Sequence, residues 1–287
     1  MPKFARVSCG PLFSVPRLAV AVGSELIALD HAAPAEDSLE ALLAFMRDGV
    51  PPDVLRAGER LDPAAVRWLP PVAQPGKVVC LGLNYSAHAA EGGNAAPEYP
   101  SFFLRGASSL MGHQAPLVRP RVSDKLDFEA ELAVVVGQRV RHLSAETALS
   151  AVAGYACFND GTLRDYQRRT GQWTIGKNFD DTGAFGPWLV PAAELPAGAA
   201  GLHIESRLNG RVMQSDNTAN MIVSVAHALV LLTEVLTLEP GDVVVMGTPS
   251  GVGYARTPPV WMQPGDQVEV EIEGIGVLSN PVVQEAP

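Results

Sequence analysis

Leu126-Asp-Phe-Glu-Ala-Glu-Leu-Ala-Val-Val-Val136, closed by Gly137, is the stretch on which the fold turns. Its second half is an unbroken apolar run rich in β-branched residues, so it reads as a buried strand. Residues two apart on a strand point to the same face, so Glu129 and Glu131 aim their carboxylates together, about 7 Å apart. Two like charges beside an apolar run repel unless a cation lies between them, and a hard dication such as Mg²⁺, Mn²⁺ or Ca²⁺ satisfies both. Alternating glutamates also occur on solvated strand faces, so the pair needs support from elsewhere.

Support comes from both sides. Ala151 to Phe158 is a second apolar run, and it empties into Asn159-Asp-Gly-Thr-Leu-Arg-Asp165. Asp160 sits at that strand's mouth, as a ligand or as a helix cap. A helical turn after it would put Arg164 and Gln167 on one face, suited to gripping substrate oxygens. In Trp173-Thr-Ile-Gly-Lys-Asn-Phe-Asp180, Lys177 is a lone cation between Gly176 and Phe179, either on the surface or partly buried over a substrate carboxylate. Val243 to Gly253 is a strand running into a Gly-rich turn that carries Thr248; it matches neither a Walker A loop nor a dinucleotide fingerprint. In Leu83-Asn-Tyr-Ser-Ala-His-Ala-Ala-Glu-Gly-Gly93, His88 and Glu91 are three apart and share a face of a short helix. A histidine oriented by a carboxylate can serve as a general base, and Gly92-Gly93 could hinge the helix as a lid.

The rest of the chain sets the frame. It has 287 residues, 47% hydrophobic and 18% charged, with a net charge of −10. That balance argues against nucleic acid, which needs clustered cations. No apolar run reaches the ~20 residues of a membrane span. Met1-Pro-Lys-Phe-Ala-Arg6 lacks a signal-peptide core, and Cys9, Cys80 and Cys157 form no CxxC, so a reducing cytoplasm is expected. Residues 17–29 read as two strands about a Gly23-Ser24 turn, and Ser38 to Met46 as a capped helix. Pro70-Pro-Val-Ala-Gln-Pro-Gly76 marks a boundary between a small α+β accessory domain (1–72) and a catalytic domain (73–287). Further strands are expected at His203–Leu208, Asp242–Met246 and Gln267–Ile272, with helices at Ser144–Leu149 and Asn220–Leu236. Many short strands and few long helices give a β-rich α+β fold rather than an alternating βαβ sheet.

Taken in order, seven segments over residues 77–282 resemble the fumarylacetoacetate hydrolase family. They are Gly82-Leu-Asn-Tyr with His88 and Glu91; Phe102-Phe-Leu-Arg105; Asp127-Phe-Glu-Ala-Glu-Leu132; Gly154-Tyr with Asn159-Asp160 and Arg164-Asp165; Gly176-Lys-Asn-Phe-Asp180; Asn209-Gly210 with Gln214 and Asn217-Thr218; and Pro240-Gly-Asp242 with Gly247-Thr-Pro249. The resemblance implies a mixed β-roll or β-sandwich catalytic domain and a homodimer. It implies Mg²⁺ or Mn²⁺ (Ca²⁺ in some members) held by Glu129, Glu131 and Asp160. It also implies a 2-oxo-acid substrate, with His88, Glu91 and Lys177 catalytic and Arg105, Arg164, Gln167 and Thr248 on substrate. Many members carry Lys where Arg105 stands, and larger animal members add an N-terminal metal-binding Asp that has no counterpart here. The expected reaction is hydrolysis of a C–C bond in a 2,4-dioxo-acid to give pyruvate. Decarboxylation of a 2-oxo-acid or a hydroxymuconate-type isomerisation is the alternative on the same scaffold.

Overall fold

The computed structural model describes residues 1–9, 15–29, 37–93, 95 and 97–287. Strands β1 (Lys3–Cys9), β2 (Val15–Val22) and β3 (Glu25–Ala28) form an antiparallel ribbon, with Gly23 at φ 61° turning the chain between the last two. Helix α1 (Leu39–Asp48) begins where Ser38 Oγ accepts the Ala41 N–H, as its sequence foretold. Helix α2 (Pro52–Ala57) and short strands β4 (Arg60–Leu61) and β5 (Arg67–Leu69) complete the N-terminal region.

The central region holds β6 (Val78–Gly82), α3 (Ser86–Glu91), β7 (Ser101–Arg105), β8 (Leu110–Met111), β9 (Leu117–Arg119), β10 (Leu126–Asp127), β11 (Ala130–Val136) and β12 (Val152–Asp160). After these come β13 (Thr162–Leu163), α4 (Arg164–Gln167), α5 (Thr174–Lys177) and β14 (Gly183–Pro191). The chain ends with β15 (His203–Leu208), β16 (Arg211–Asn217), α6 (Val225–Val235), β17 (Val243–Val245), β18 (Gln267–Ile272) and β19 (Gly276–Gln284).

The strands form a β-rich α+β fold. A 12-stranded mixed sheet runs β4-β3-β2-β1-β14-β12-β11-β17-β6-β7, with β5 on β1 and β8 on β14; a 5-stranded sheet runs β16-β15-β18-β19-β9. Every residue of β11 is buried. Leu132, Val134 and Val136 face the cluster that includes Ile204, Val268 and Val270 of the smaller sheet. Ala133 and Val135 face the cluster that contains Leu42 of α1. A strand covered on both sides needs apolar residues at every position, which accounts for its continuous run.

Two expected helices come out shorter. The Asn220–Leu236 helix starts only at Val225, because Ser224 Oγ accepts the His227 N–H and caps it there. In the Ser144–Leu149 stretch, Ser144 and Thr147 bond each other's turn, leaving one 3₁₀ turn at Ala148–Ala151. The Pro70–Gly76 stretch is irregular. Across it, Phe4, Leu18, Val20 and Leu29 share one buried cluster with Val78, Val135 and Phe158. Phe4→Ala should therefore cost about 3–5 kcal/mol in denaturant unfolding. A loss under about 1 kcal/mol would contradict a core shared between the N-terminal strands and the central sheet.

Candidate active site

The register of β11 and β12 assembles the acids. Ala130 lies opposite Asn159 and Glu131 opposite Phe158, which brings Asp160 across from Glu129; the Asp160 N–H donates to the Glu129 carbonyl at 3.0 Å. On β11 the side chain of Glu131 continues the row of Val135 and Ala133, and on β12 that of Asp160 continues Ala156 and Phe158. Both rows lie on one face of the sheet, so the acids emerge together at its mouth. Oxygens of Glu129, Glu131 and Asp160 lie within 4.8 Å of one another, and all three residues are buried.

Cations converge on them. Lys177, at the end of α5, donates to Glu129 Oε2 and Asp160 Oδ2, both at 2.5 Å. Arg164, opening α4, pairs with Glu129 and donates from Nε to Asp127 Oδ2 at 2.8 Å. Arg105, at the end of β7, pairs with Asp160 and donates to Thr182 Oγ1 at 2.9 Å and Ser109 Oγ at 3.2 Å. Its guanidinium fits because residue 183 is glycine; a Cβ there would sit 2.8 Å from it.

Four buried carboxylates, Asp127, Glu129, Glu131 and Asp160, thus meet three buried cations, Arg105, Arg164 and Lys177. Burial alone would raise Glu129, but Arg164, Lys177 and His88 outweigh it and hold its carboxyl down at about 2. Glu131 is the acid left over. Burial, followed by the neighbouring Asp160 and Glu129, pushes it well above the usual carboxylate range against the pull of Lys177. Its hydrogen-bond donor among the described residues is the Gly247 N–H, 2.6 Å from Oε2. A buried carboxylate without a counter-charge takes a proton instead. Three converging carboxylates with one charge uncompensated fit a hard divalent cation with oxygen ligands. Cys80 lies close by, but burial and then Asp160 and Glu131 raise its thiol, so it offers no thiolate.

Glu129 and Glu131 open on a cavity of ≈ 490 Å³. His88, Arg164, Gln167, Lys177 and Thr248 line it too. His88 Nδ1 bonds Glu91 Oε1 at 2.8 Å, and Glu91 Oε2 accepts the Gly251 N–H at 2.8 Å, so one carboxylate both orients the imidazole and ties α3 to the 247–254 loop. Gly92 and Gly93 follow the helix as expected; residues 94 and 96 of that flank lie outside the described residues. Arg164 Nη1 donates to Gln167 Oε1 at 3.0 Å, confirming their common face. Thr248 Oγ1 donates to the Ala130 carbonyl at 2.9 Å and accepts from Gln214 Nε2 at 2.7 Å, which commits its proton to the wall. Arg105, expected on substrate, lies behind Asp160 with its side chain fully covered, so it steadies a carboxylate instead.

Several residues were not singled out in the sequence. Asp127 accepts from Gly253 N at 2.7 Å and Tyr254 N at 3.1 Å as well as from Arg164. Tyr254, Arg168, Phe103 and Trp173 complete the cavity wall. Asp127 carried a signal, as an acid two residues before Glu129, and Arg168 directly follows Gln167; Tyr254 and Phe103 reach the site through long-range folding.

The Fumarylacetoacetate (FAA) hydrolase C-terminal family model matches residues 77–283. Human mitochondrial oxaloacetate tautomerase FAHD2A is 42% identical over 220 residues, 76% of this chain and 70% of that protein. The structure of fumarylacetoacetate hydrolase from Exiguobacterium antarcticum superposes with a TM-score of 0.86 at 34% identity, covering 99% of this chain and 100% of that one. Maleylpyruvate hydrolase from Sphingobium sp. SYK-6 superposes at 0.80 with 28% identity, covering 99% and 100%.

Because the Glu131 carboxyl is raised, a cation entering below that pKa must displace a proton. Affinity for Mn²⁺ should rise with pH, by up to about tenfold per unit, and level off once Glu131 ionises on its own. Calorimetric titrations at a series of pH values test this, and a flat pH profile would count against it. The same raised carboxyl weakens the metal-free fold above the carboxylate's unfolded pKa, so Glu131→Gln should melt higher than wild type without metal at neutral pH and lose the stabilisation that Mn²⁺ gives.

Proposed function

The chain belongs to the fumarylacetoacetate hydrolase family, and from that premise we propose that it is a divalent-metal-dependent enzyme that moves a proton within a small 2-oxo-acid, interconverting keto and enol forms of a compound of the oxaloacetate type. The observation that carries this reading is the buried His88–Glu91 pair, which shares one cavity with Glu129 and Glu131. Glu129, Glu131 and Asp160 would hold a Mg²⁺ or Mn²⁺, which would supply Lewis-acid polarisation of the 2-oxo group when bound.

The residues supply the rest. Glu91 accepts the Nδ1 proton of His88, which leaves the Nε2 lone pair as the base for the proton on the carbon next to the 2-oxo group. Burial keeps that nitrogen from being consumed by bulk water. Lys177 brings positive charge to the side of the cavity where Glu129 lies, and so to the substrate oxygens placed there. Gln167 Nε2 has no bond to a described residue and can donate to the substrate, while Arg164 holds the Gln167 amide oxygen and fixes its orientation. The tautomerase named among the relatives supports proton transfer as the chemistry.

The hydrolysis expected from the sequence is the second reading, favoured by the likeness to a maleylpyruvate hydrolase. There His88 would take its proton from water as the water attacks the distal carbonyl of a 2,4-dioxo-acid. A homodimer and a cytoplasmic setting belong to the same proposal. No helix among the described residues is long and apolar enough to cross a membrane.

Metal-loaded protein should be assayed against oxaloacetate for enol formation and carbon dioxide release, and against an acylpyruvate for cleavage. Enol–keto exchange of oxaloacetate should be accelerated and should stop with a chelator. His88→Ala should lower it by about 10²-fold or more. Glu129→Ala should abolish it. Cleavage of the acylpyruvate alone would replace this reading with hydrolysis. Carbon dioxide release that survives His88→Ala would replace it with decarboxylation.

A further inference from the structure

Most cations at the cavity are already matched to partners. Lys177 is engaged by Glu129 and Asp160, Arg164 by Asp127, Glu129 and Gln167, and Arg105 lies behind Asp160. Arg168 is different. It follows α4, lines the same cavity, and has no carboxylate partner among the described residues. It is exposed, yet its guanidinium lies over the ring of Tyr254, 4.6 Å from the centroid. Arg164 sits against that same ring at 4.4 Å. The ring is itself anchored, because Asp127 accepts the backbone N–H groups on either side of the Gly253–Tyr254 bond.

Two guanidinium groups on one aromatic ring attract its π-electrons but repel each other. For Arg164 that repulsion is offset by Asp127 and Glu129. For Arg168 no described residue offsets it, so its exposed guanidinium is left to solvent or to an anion that reaches the cavity's rim. We propose that Arg168 is a specificity-determining residue that binds a second carboxylate at the far end of the substrate. Resting on the 2-oxo-acid reading above, this makes the preferred substrate a short 2-oxo-dicarboxylate. Arg168 lies four residues after Arg164, and such neighbours stand on the order of 6 Å apart at Cβ. The two ends of the substrate are therefore separated by a few carbons rather than by a long chain. Arginine suits this role because its planar fork meets a carboxylate through two parallel hydrogen bonds.

The test uses Mg²⁺-loaded protein and three ligands measured by calorimetry. 2-Oxoglutarate and its distal amide, 2-oxoglutaramate, have the same length and differ in the far charge; oxalate reports the metal end alone. Wild type should bind 2-oxoglutarate about tenfold or more tighter than 2-oxoglutaramate. Arg168→Gln should reduce that ratio to near one and leave the oxalate Kd within about twofold, and Arg168→Lys should restore part of the ratio. A ratio near one in wild type, a ratio that persists in Arg168→Gln, or an equal loss of oxalate binding would each overturn the assignment. If wild type binds neither oxalate nor either 2-oxo-acid, the 2-oxo-acid reading itself fails and takes this inference with it. If oxalate binds normally while the ratio fails, only the role of Arg168 is lost.

Discussion

Glu129, Glu131 and Asp160 are held within 4.8 Å of one another inside the protein, where water does little to screen their repulsion. Such a cluster survives only if its surroundings are arranged around it. Lys177 bridges two of the three acids, Arg164 and Arg105 each take one, and Glu131 is left without a counter-charge. Removing one partner from a buried ion cluster costs more than an exposed pair would, because the other charge stays buried and uncompensated. The same imbalance leaves the cluster short of one positive charge, which a divalent cation could supply.

The fold enforces this convergence through strand register. The antiparallel pairing of β11 with β12 sets Asp160 across from Glu129, and a slip of one residue on either strand would turn its acid toward the opposite face of the sheet. Burial of both faces of β11 by two different apolar clusters makes such a slip costly. His88 is positioned separately. Glu91 binds His88 with one oxygen and the Gly251 N–H with the other, so the orientation of the imidazole depends on the same loop that carries Tyr254. Asp127 ties that loop to Arg164. The acidic cluster and the far end of the cavity are thus linked through two further carboxylates, Glu91 and Asp127.

The parts of this design that were legible in the sequence follow local periodicity. The i, i+2 spacing of Glu129 and Glu131, the position of Asp160 at a strand mouth, and the one-turn spacings of His88 with Glu91 and Arg164 with Gln167 all transfer directly into geometry. Long-range placement was not legible. Arg105 pairs with Asp160 across 55 residues, and nothing in Phe102-Phe-Leu-Arg105 marks it as lying behind a carboxylate rather than on substrate. Tyr254 and Arg168 meet only because two separate loops fold over one cavity. Strand β14 escaped notice because Gly183, Gly186 and Pro187 interrupt its apolar pattern, and its register against β12 shifts between Tyr155 and Cys157. The Arg105 guanidinium needs one of those glycines, at 183. A residue that weakened the strand signal therefore makes room for the site.

Anomalous diffraction from crystals soaked in Mn²⁺ is the most direct measurement of the central claim. One strong peak is expected within about 2.5 Å of an oxygen from each of Glu129, Glu131 and Asp160. A peak that touches only one of them, or a site that stays dark while Mn²⁺ binds elsewhere on the protein, would contradict it.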